Sequence, residues 1–384
     1  MYELRDYQAE AAERGLRYFK SQTDKKPVIE VLPTGSGKSL VIAEVARRLN
    51  EPILIFQPSK EILEQNYKKL LNYEFYDTSI FSASFNQKEI SLVTFATIGS
   101  VISKPELFRQ FKNIMVDECH FVNSKGGMYK QFFDIVGEKI LGLTATPYRL
   151  TTDGYGGSML KFITRTRPRI FHDVIYHVQN KNLYDRGYLA KLDYFQIKGF
   201  DTSKLELNST GADYTDNSVR KYYEEISFEK RLIKVINRLL EIGRKNILIF
   251  TRFTKEAENL ARNIPGAATV SAETSMKERE GILNDFISGE IKVIANVGVL
   301  TTGFDYPELE TIVIARPTRS LALYYQMIGR GIRPHPFKEK TMIVDLCDNF
   351  SRFGKVEDLE LKEPKPGLWH IDSRGKQLTN VYYD

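Results

Sequence analysis

The sequence predicts an α/β protein built from two tandem parallel-sheet lobes. Short apolar, β-branched runs alternate with helical stretches, which is the pattern of a wound parallel sheet. The alternation occurs twice, on either side of an irregular region, and 384 residues is the length of two or three domains.

In the first series the expected strands are Val28–Leu32, Ile53–Phe56, Leu92–Phe95, Ile114–Val116 and Leu141–Thr144. Their length and β-branched content suit strands covered on both faces. Ser39–Leu49 and Ser59–Leu70 have helical composition between them. The second series places strands at Ile247–Phe250, Ala268–Ser271, Val293–Ala295, Ile312–Ala315 and Met342–Val344, with helices at Thr254–Asn263 and Met276–Ile287. Gly154, Gly156 and Gly157 open the intervening region, and the polar stretch Asp201–Asn217 interrupts it. The expected division is a first lobe over 1–165, a connecting segment over 166–228, a second lobe over 229–350 and a tail over 351–384. Pro364, Pro366 and Gly367, with little periodicity around them, mark that tail as an appendage.

Composition excludes several classes. The chain is 42% hydrophobic and 27% charged, which argues against general disorder. No apolar run approaches the roughly 18–20 residues that span a bilayer, and the N-terminus lacks the apolar core of a signal peptide. Cys119 and Cys347 are too few for a disulfide framework or a four-ligand zinc cluster, so a reducing, cytoplasmic setting is expected. The net charge of +6 is too small to identify a nucleic-acid partner. Basic residues are densest at Lys161, Arg165, Arg167 and Arg169, which fit a solvated surface first and an extended nucleic-acid footprint second.

The first strand runs into Pro33-Thr34-Gly35-Ser36-Gly37-Lys38-Ser39 and then a helix, the setting a phosphate-binding loop requires. Gly35 and Gly37 let backbone N–H groups curl around an oxyanion, and the helix N-terminus adds partial positive charge. Lys38 is placed for the β and γ phosphates of ATP, and Ser39 for Mg²⁺. Leu32 stands where the strict pattern has glycine. Such a loop needs an acidic pair, and Asp117-Glu118 ends the strand Ile114–Val116. Asp117 would hold the metal through water, and Glu118 would polarise the attacking water.

With these residues in place the chain resembles a superfamily 2 DNA/RNA helicase or translocase. Leu4-Arg5-Asp6-Tyr7-Gln8 resembles the adenine-reading Q-type motif. Gln57-Pro58-Ser59-Lys60 resembles motif Ia, and Thr94-Phe95-Ala96-Thr97 resembles motif Ib. Asp117-Glu118-Cys119-His120 is similar to a DECH box, and Thr144-Ala145-Thr146-Pro147 to motif III. Ile249-Phe250-Thr251-Arg252, Thr301-Thr302-Gly303-Phe304-Asp305 and Gln326-Met327-Ile328-Gly329-Arg330-Gly331-Ile332-Arg333 look like motifs IV, V and VI. Within the superfamily the phrases LPTGSGKSLVIAE, VDECH, LGLTATPYRL, VLTTGFD and IGRGIRP resemble RadD-type bacterial proteins, with XPB-like helicases next. RadD-type proteins usually continue into a cysteine-rich zinc-binding region, which these two cysteines do not supply.

The resemblance implies two RecA-like lobes with ATP and nucleic acid bound at the lobe interface. It implies adenine contacts from Arg5 and Gln8, and nucleotide contacts from Gly303 and Asp305, Asp305 accepting the ribose hydroxyl. Catalytic roles at the γ-phosphate are implied for Gln326, Arg330 and Arg333, the two arginines spaced to share a helix face. Sequence-independent backbone contacts are expected from Gln57, Pro58, Ser59, Thr94, Phe95, Thr251, Arg252, Thr301 and Thr302, with backbone approach at Gly298 and Val299. His120, Thr144 and Thr146 are expected to couple hydrolysis to movement. The function implied is an Mg²⁺- and ATP-dependent DNA helicase or translocase, in repair, recombination or replication. An RNA-dependent ATPase and a nucleic-acid-activated ATPase switch that does not unwind are the alternatives.

Overall fold

The computed structural model describes residues 3–152, 158–209, 211–300 and 306–383. They form two compact units. The first comprises residues 1–149, 161–179 and 361–371, and the second comprises residues 150–160, 180–360 and 372–384.

The first unit is organised on an eight-stranded sheet. Its spatial order is Asp173–His177, Val28–Val31, Lys139–Thr144, Asn113–Asp117, Ile53–Phe56, Val93–Ala96, Thr78–Ser82 and Gln87–Lys88. Every pairing is parallel except the last. Val28–Val31 and Ile53–Phe56 are buried at every position, as strands must be when helices cover both faces. The helices Asp6–Lys20, Lys38–Leu49 and Lys60–Leu71 belong to this unit. Ser59 caps the third of them, accepting a hydrogen bond from Ile62 N at 3.3 Å.

The five expected strands of this lobe are present, each within two residues of its expected limits at either end. Thr78–Ser82 went unassigned because TSIFS is short and Thr78, Ser79 and Ser82 carry hydroxyls, and burial rather than composition makes it a strand. Asp173–His177 and Lys191–Gln196, both inside the expected connecting segment, are edge strands of the first and second sheets respectively.

The second unit carries a six-stranded, wholly parallel sheet ordered Lys191–Gln196, Lys340–Asp345, Thr311–Ala315, Ile247–Thr251, Val293–Asn296 and Ala267–Val270. Ile247, Ile249, Val293, Ala295 and Val313 meet Val219, Phe228, Leu232 and Ile236 in its core. That burial is why the polar region before Ile247 ends in two helices, Asp216–Glu225 and Phe228–Glu241. Tyr223 and Phe228 stack there, with ring centroids 3.9 Å apart.

The tail is not a bare appendage. Gln179 holds Leu361 by both backbone groups, at 2.7 and 3.0 Å. Trp369 Nε1 donates to Asp173 Oδ1 at 3.2 Å, and its ring packs on His177. No helix among the described residues is long and apolar enough to cross a membrane.

Candidate nucleotide site

Sheet register assembles the site. Val31 pairs with Thr144, and Asp117 pairs with Leu143. The loop after Val31, the Thr144–Thr146 segment and the Asp117–His120 segment therefore leave three adjacent strands at their C-terminal ends, where open α/β sheets bind ligands.

The loop has the backbone conformation that phosphate binding needs. Gly35 and Gly37 lie at φ +76° and +84°, in the left-handed region. Gly37 is also the N-cap of Lys38–Leu49, and a Cβ on it would come 2.4 Å from Gln8 Nε2. Gln8 is the strut beneath this loop. Its Oε1 accepts from Arg5 N at 2.9 Å, and its Nε2 donates to Ser36 O at 2.7 Å. Tyr7 donates to the same carbonyl at 2.8 Å, and Arg5 Nη1 reaches the Tyr7 hydroxyl at 3.2 Å. The residues expected at adenine thus also shape the phosphate loop. Tyr7 was missed, although it adjoins Gln8.

Lys38 Nζ is 3.3 Å from Glu118 Oε1. Asp117 Oδ1 accepts from Glu118 N at 2.9 Å, and Oδ2 from Asn66 Nδ2 at 3.3 Å. The two neighbouring carboxyls have opposite tendencies. Burial, followed by the charge of Glu118, pushes the Asp117 carboxyl above its ordinary value. Burial would also raise Glu118, but Lys38 and His120 outweigh it and hold it below its ordinary value. One carboxylate stays ionised at the end of the Lys38 side chain. The other is a hard oxygen donor behind it.

His120 joins this pair to the neighbouring strand. Its Nδ1 lies 3.3 Å from Glu118 Oε2, 2.8 Å from Thr144 Oγ1 and 3.1 Å from Thr146 Oγ1. Thr146 N also donates to Thr144 Oγ1 at 3.0 Å. Cys119 is buried behind this cluster, and burial raises its thiol well above the ordinary range.

The donors fit ATP with Mg²⁺. Mg²⁺ is usually held by one or two protein oxygens with substrate phosphates, and Asp117 and the Ser39 hydroxyl are of that kind. Pro33, Thr34 and Ser36 complete the loop, and the Ser36 hydroxyl is buried without a hydrogen-bond partner among the described residues. No cluster of three or more His, Cys, Asp or Glu side chains suited to a metal occurs among the described residues.

Several residues expected to grip nucleic acid are placed otherwise. Gln57 is buried, and its Oε1 accepts from Asn66, the residue that also holds Asp117. Asn66 was missed; its signal is a polar side chain at helical spacing between the buried Leu63 and Leu70. Thr94 is buried and bonds Ser91 O and N, and Phe95 is buried against Tyr67. Thr251 is buried, donating to Asn296 O at 3.3 Å. Arg252 contacts Asp213 and Asp216 at 3.3 and 2.9 Å. These five side chains hold the protein together. Pro58 and Ser59 are half-buried at the start of their helix.

Gln326 lies on the helix Leu321–Ile328, but Arg330 and Arg333 do not share that helix. It ends at Ile328 with Gly329 as its C-cap; Gly331 packs where a Cβ would come 2.5 Å from Thr341 Cγ2, and Pro334 disfavours helical backbone at Arg333. Gly298 has φ +71°, and Asn296 Oδ1 accepts from Val299 N and Leu300 N. Thr301, Thr302, Gly303 and Asp305 lie outside the described residues.

Comparison with known proteins identifies two domain families in this chain. The model for the type III restriction enzyme res subunit matches residues 1–149, and that for the helicase conserved C-terminal domain matches residues 230–335. A 51.5 kDa protein of Lactococcus phage (isolate 7-9) is 26% identical, covering 84% of this chain and 66% of its own length. The DNA 3'-5' translocase XPB2 of Sulfurisphaera tokodaii is 26% identical over 86% of this chain and 79% of its own. The ATP-dependent DNA helicase uvsW of Enterobacteria phage T4 is 25% identical over 86% and 67%. The chain spans about half, 51%, of the Saccharomyces cerevisiae relative IRC3. Among solved structures, the DNA-bound restriction-modification enzyme LlaBIII matches with a TM-score of 0.65 at 17% identity, covering 90% of this chain and 27% of its own. Dbp5 of S. cerevisiae bound to RNA matches with 0.58 at 15%, covering 89% and 87%. The fold is that of RecA-like helicase lobes.

Proposed function

We propose that this chain, a member of the superfamily 2 helicases, is an ATP-driven motor that translocates along or unwinds DNA. The observation that carries this reading is the contact chain from Lys38 through Glu118 and His120 to Thr144 and Thr146. It ties the phosphate loop to a second strand end, so that a change at the phosphate has a path out of the site.

In this reading Lys38 and the loop N–H groups hold the ATP phosphates, while Gln8 keeps the loop in its receptive conformation. Ser39 and Asp117 would hold Mg²⁺, which when bound neutralises charge on the β and γ phosphates. Glu118, ionised, orients and accepts a proton from the attacking water. Arg330 and Arg333 are assigned to stabilising transition-state charge, with Gln326 beside them, and Gly303 and Asp305 to the nucleotide. DNA is favoured over RNA because relatives named as DNA translocase and DNA helicase align along most of this chain. A role in repair, recombination or replication follows as the class of work such motors do. The two buried free thiols suit a reducing cytoplasm.

The test is ATP turnover with no nucleic acid, single-stranded DNA, duplex, forked DNA and RNA. Stimulation by DNA, followed by strand displacement or movement, is expected. Equal turnover under every condition would overturn the motor, and stimulation by RNA alone would overturn the choice of DNA.

A further inference from the structure

The first unit carries a basic groove of about 980 Å³. The start of the Val28–Val31 strand, the start of its parallel neighbour Asp173–His177 and the end of the helix Asp6–Lys20 line it. The phosphate loop leaves the other end of the same strand. Groove and nucleotide site therefore lie at opposite ends of the sheet.

Six Lys or Arg line the groove against three Asp or Glu, an excess of three, whereas the whole chain of 384 residues has an excess of six. The acids are already engaged by the protein. Glu13 pairs with Arg48 at 3.0 Å, Asp173 accepts from Trp369, and Asp24 accepts from the Ser21 hydroxyl. Arg17, Lys20 and Lys26 are exposed and make no ion pair among the described residues. Capping the helix does not require Arg17 or Lys20, because Lys139 Nζ donates to the carbonyls of Phe19 and Ser21. The basic run of the sequence reaches the same place: besides burial, the charges of Arg169, Lys26 and Arg167 lower the pKa of His172, which lines the groove.

We propose that this groove binds the phosphodiester backbone of a single strand of DNA, as a second contact away from the nucleotide site, with Arg17, Lys20 and Lys26 as phosphate ligands and Arg167 and Arg169 at its rim. Phosphate is the partner that unpaired cations of this density fit, and a groove of this volume seats one strand rather than a duplex. Of the two rings in the lining, Tyr18 is buried with its hydroxyl bonded to Lys26 O and Ile140 O within the protein, and His172 is half-buried, so no Phe, Tyr or Trp ring is exposed to stack a base. Recognition is by charge, without sequence. The inference rests on the motor reading for its choice of DNA.

The experiment uses the full chain and fluorescence anisotropy without nucleotide, across a salt series. One labelled single-stranded oligonucleotide is just long enough for full stimulation of ATP turnover, and a second is several-fold longer. Against wild type, the triple variant Arg17→Gln, Lys20→Gln, Lys26→Gln should bind the longer strand with a log affinity–log salt slope shallower by about 2, three contacts at about 0.7 each. Its binding of the short strand and its maximal DNA-stimulated turnover should not change. A triple variant removing three exposed charges elsewhere, Lys104→Gln, Lys245→Gln, Lys277→Gln, should keep the wild-type slope. An unchanged slope in the groove variant overturns the proposal, and so does an equal change in the control, which would reflect net charge alone. Loss that appears only with an acidic peptide as ligand would give the groove to a protein partner instead. Failure of the motor reading looks different: the wild type would show no stimulation by DNA of either length.

Discussion

The imidazole Nδ1 of His120 lies 2.8 Å from the Thr144 hydroxyl, across two adjacent strand ends. Both groups are buried, so the contact is costly to break without replacement. Thr144→Val should leave nucleotide affinity unchanged and lower DNA-stimulated turnover by roughly tenfold, equivalent to about 1.4 kcal/mol at the barrier. Thr144→Ser, which keeps the hydroxyl, should restore most of it. Steady-state turnover with and without DNA checks this; full stimulation in the valine variant would reduce Thr144 to packing.

Lys38 and Glu118 are predicted to separate binding from chemistry. Glu118→Gln keeps size and hydrogen-bonding capacity but removes the ionised base, so ATP should still bind while turnover falls by about 10²–10⁴-fold. Lys38→Ala should lose nucleotide affinity as well. Equilibrium binding of a fluorescent ATP analogue beside turnover reads both, and near-normal turnover in either variant would sink the site.

The phosphate loop offers a sharper test. Gly37→Ala places a methyl 2.4 Å from Gln8 Nε2 at φ +84°, so the loop cannot keep its shape. Gln8→Glu leaves the backbone alone but turns the donor to Ser36 O into a second acceptor. Both should raise the KM for ATP at least tenfold with little change in thermal stability, and an unchanged KM for Gln8→Glu would remove Gln8 from loop positioning.

How far the sequence could be read depends on what each signal reports. Val28–Val31 and Ile247–Thr251 were legible because strands buried on both faces are mostly apolar and β-branched, Glu30 being the one charged residue in the two. The phosphate loop was legible because glycine spacing and Lys-Ser report backbone chemistry directly. The burial of Thr94 and Thr251 was not legible because a hydroxyl type does not say which way the side chain points: Thr94 bonds Ser91 just before its own strand, and Thr251 bonds Asn296 O on the neighbouring strand. The expected helix through Arg330 and Arg333 is absent because the helix ends at Ile328, ahead of Gly329, Gly331 and Pro334, stop signals that the spacing of the two arginines outweighed. Trp369 and Gln179 were silent because their partners lie almost two hundred residues away.

Arg252 illustrates a functional expectation converted into a structural prediction. Its guanidinium contacts Asp213 and Asp216 and donates to the carbonyl of Tyr214. Removing it strands a partly buried carboxylate, and Arg252→Ala should destabilise the second unit by about 2–3 kcal/mol. Arg252→Lys should recover little, because a point charge cannot replace the planar fork. Thermal unfolding measures the loss. DNA affinity at a temperature where the variant is folded should match wild type, and a selective loss of affinity would return Arg252 to the track.

Glu30 makes the strongest prediction about stability. It sits in the middle of the Val28–Val31 strand, fully buried, with neither carboxyl oxygen hydrogen-bonded among the described residues. It packs close to Gly15, where a Cβ would lie 3.3 Å from Oε1. Burial pushes this carboxyl well above its ordinary value, so the folded protein keeps it protonated. The unfolded chain ionises it above about pH 4.3. The folded state therefore binds the extra proton, and the stability Glu30 permits is greatest below that pH and falls as pH rises. Glu30→Met removes both the titration and the orphaned oxygens, and should stabilise the first unit by about 1–3 kcal/mol at pH 7. The gain should shrink toward pH 4, where wild type no longer loses a proton on unfolding. Trp369, the single tryptophan, packs on His177 in that unit, and its fluorescence during denaturant unfolding at several pH values reports the difference. A gain that does not vary with pH would show that Glu30 acts through shape alone.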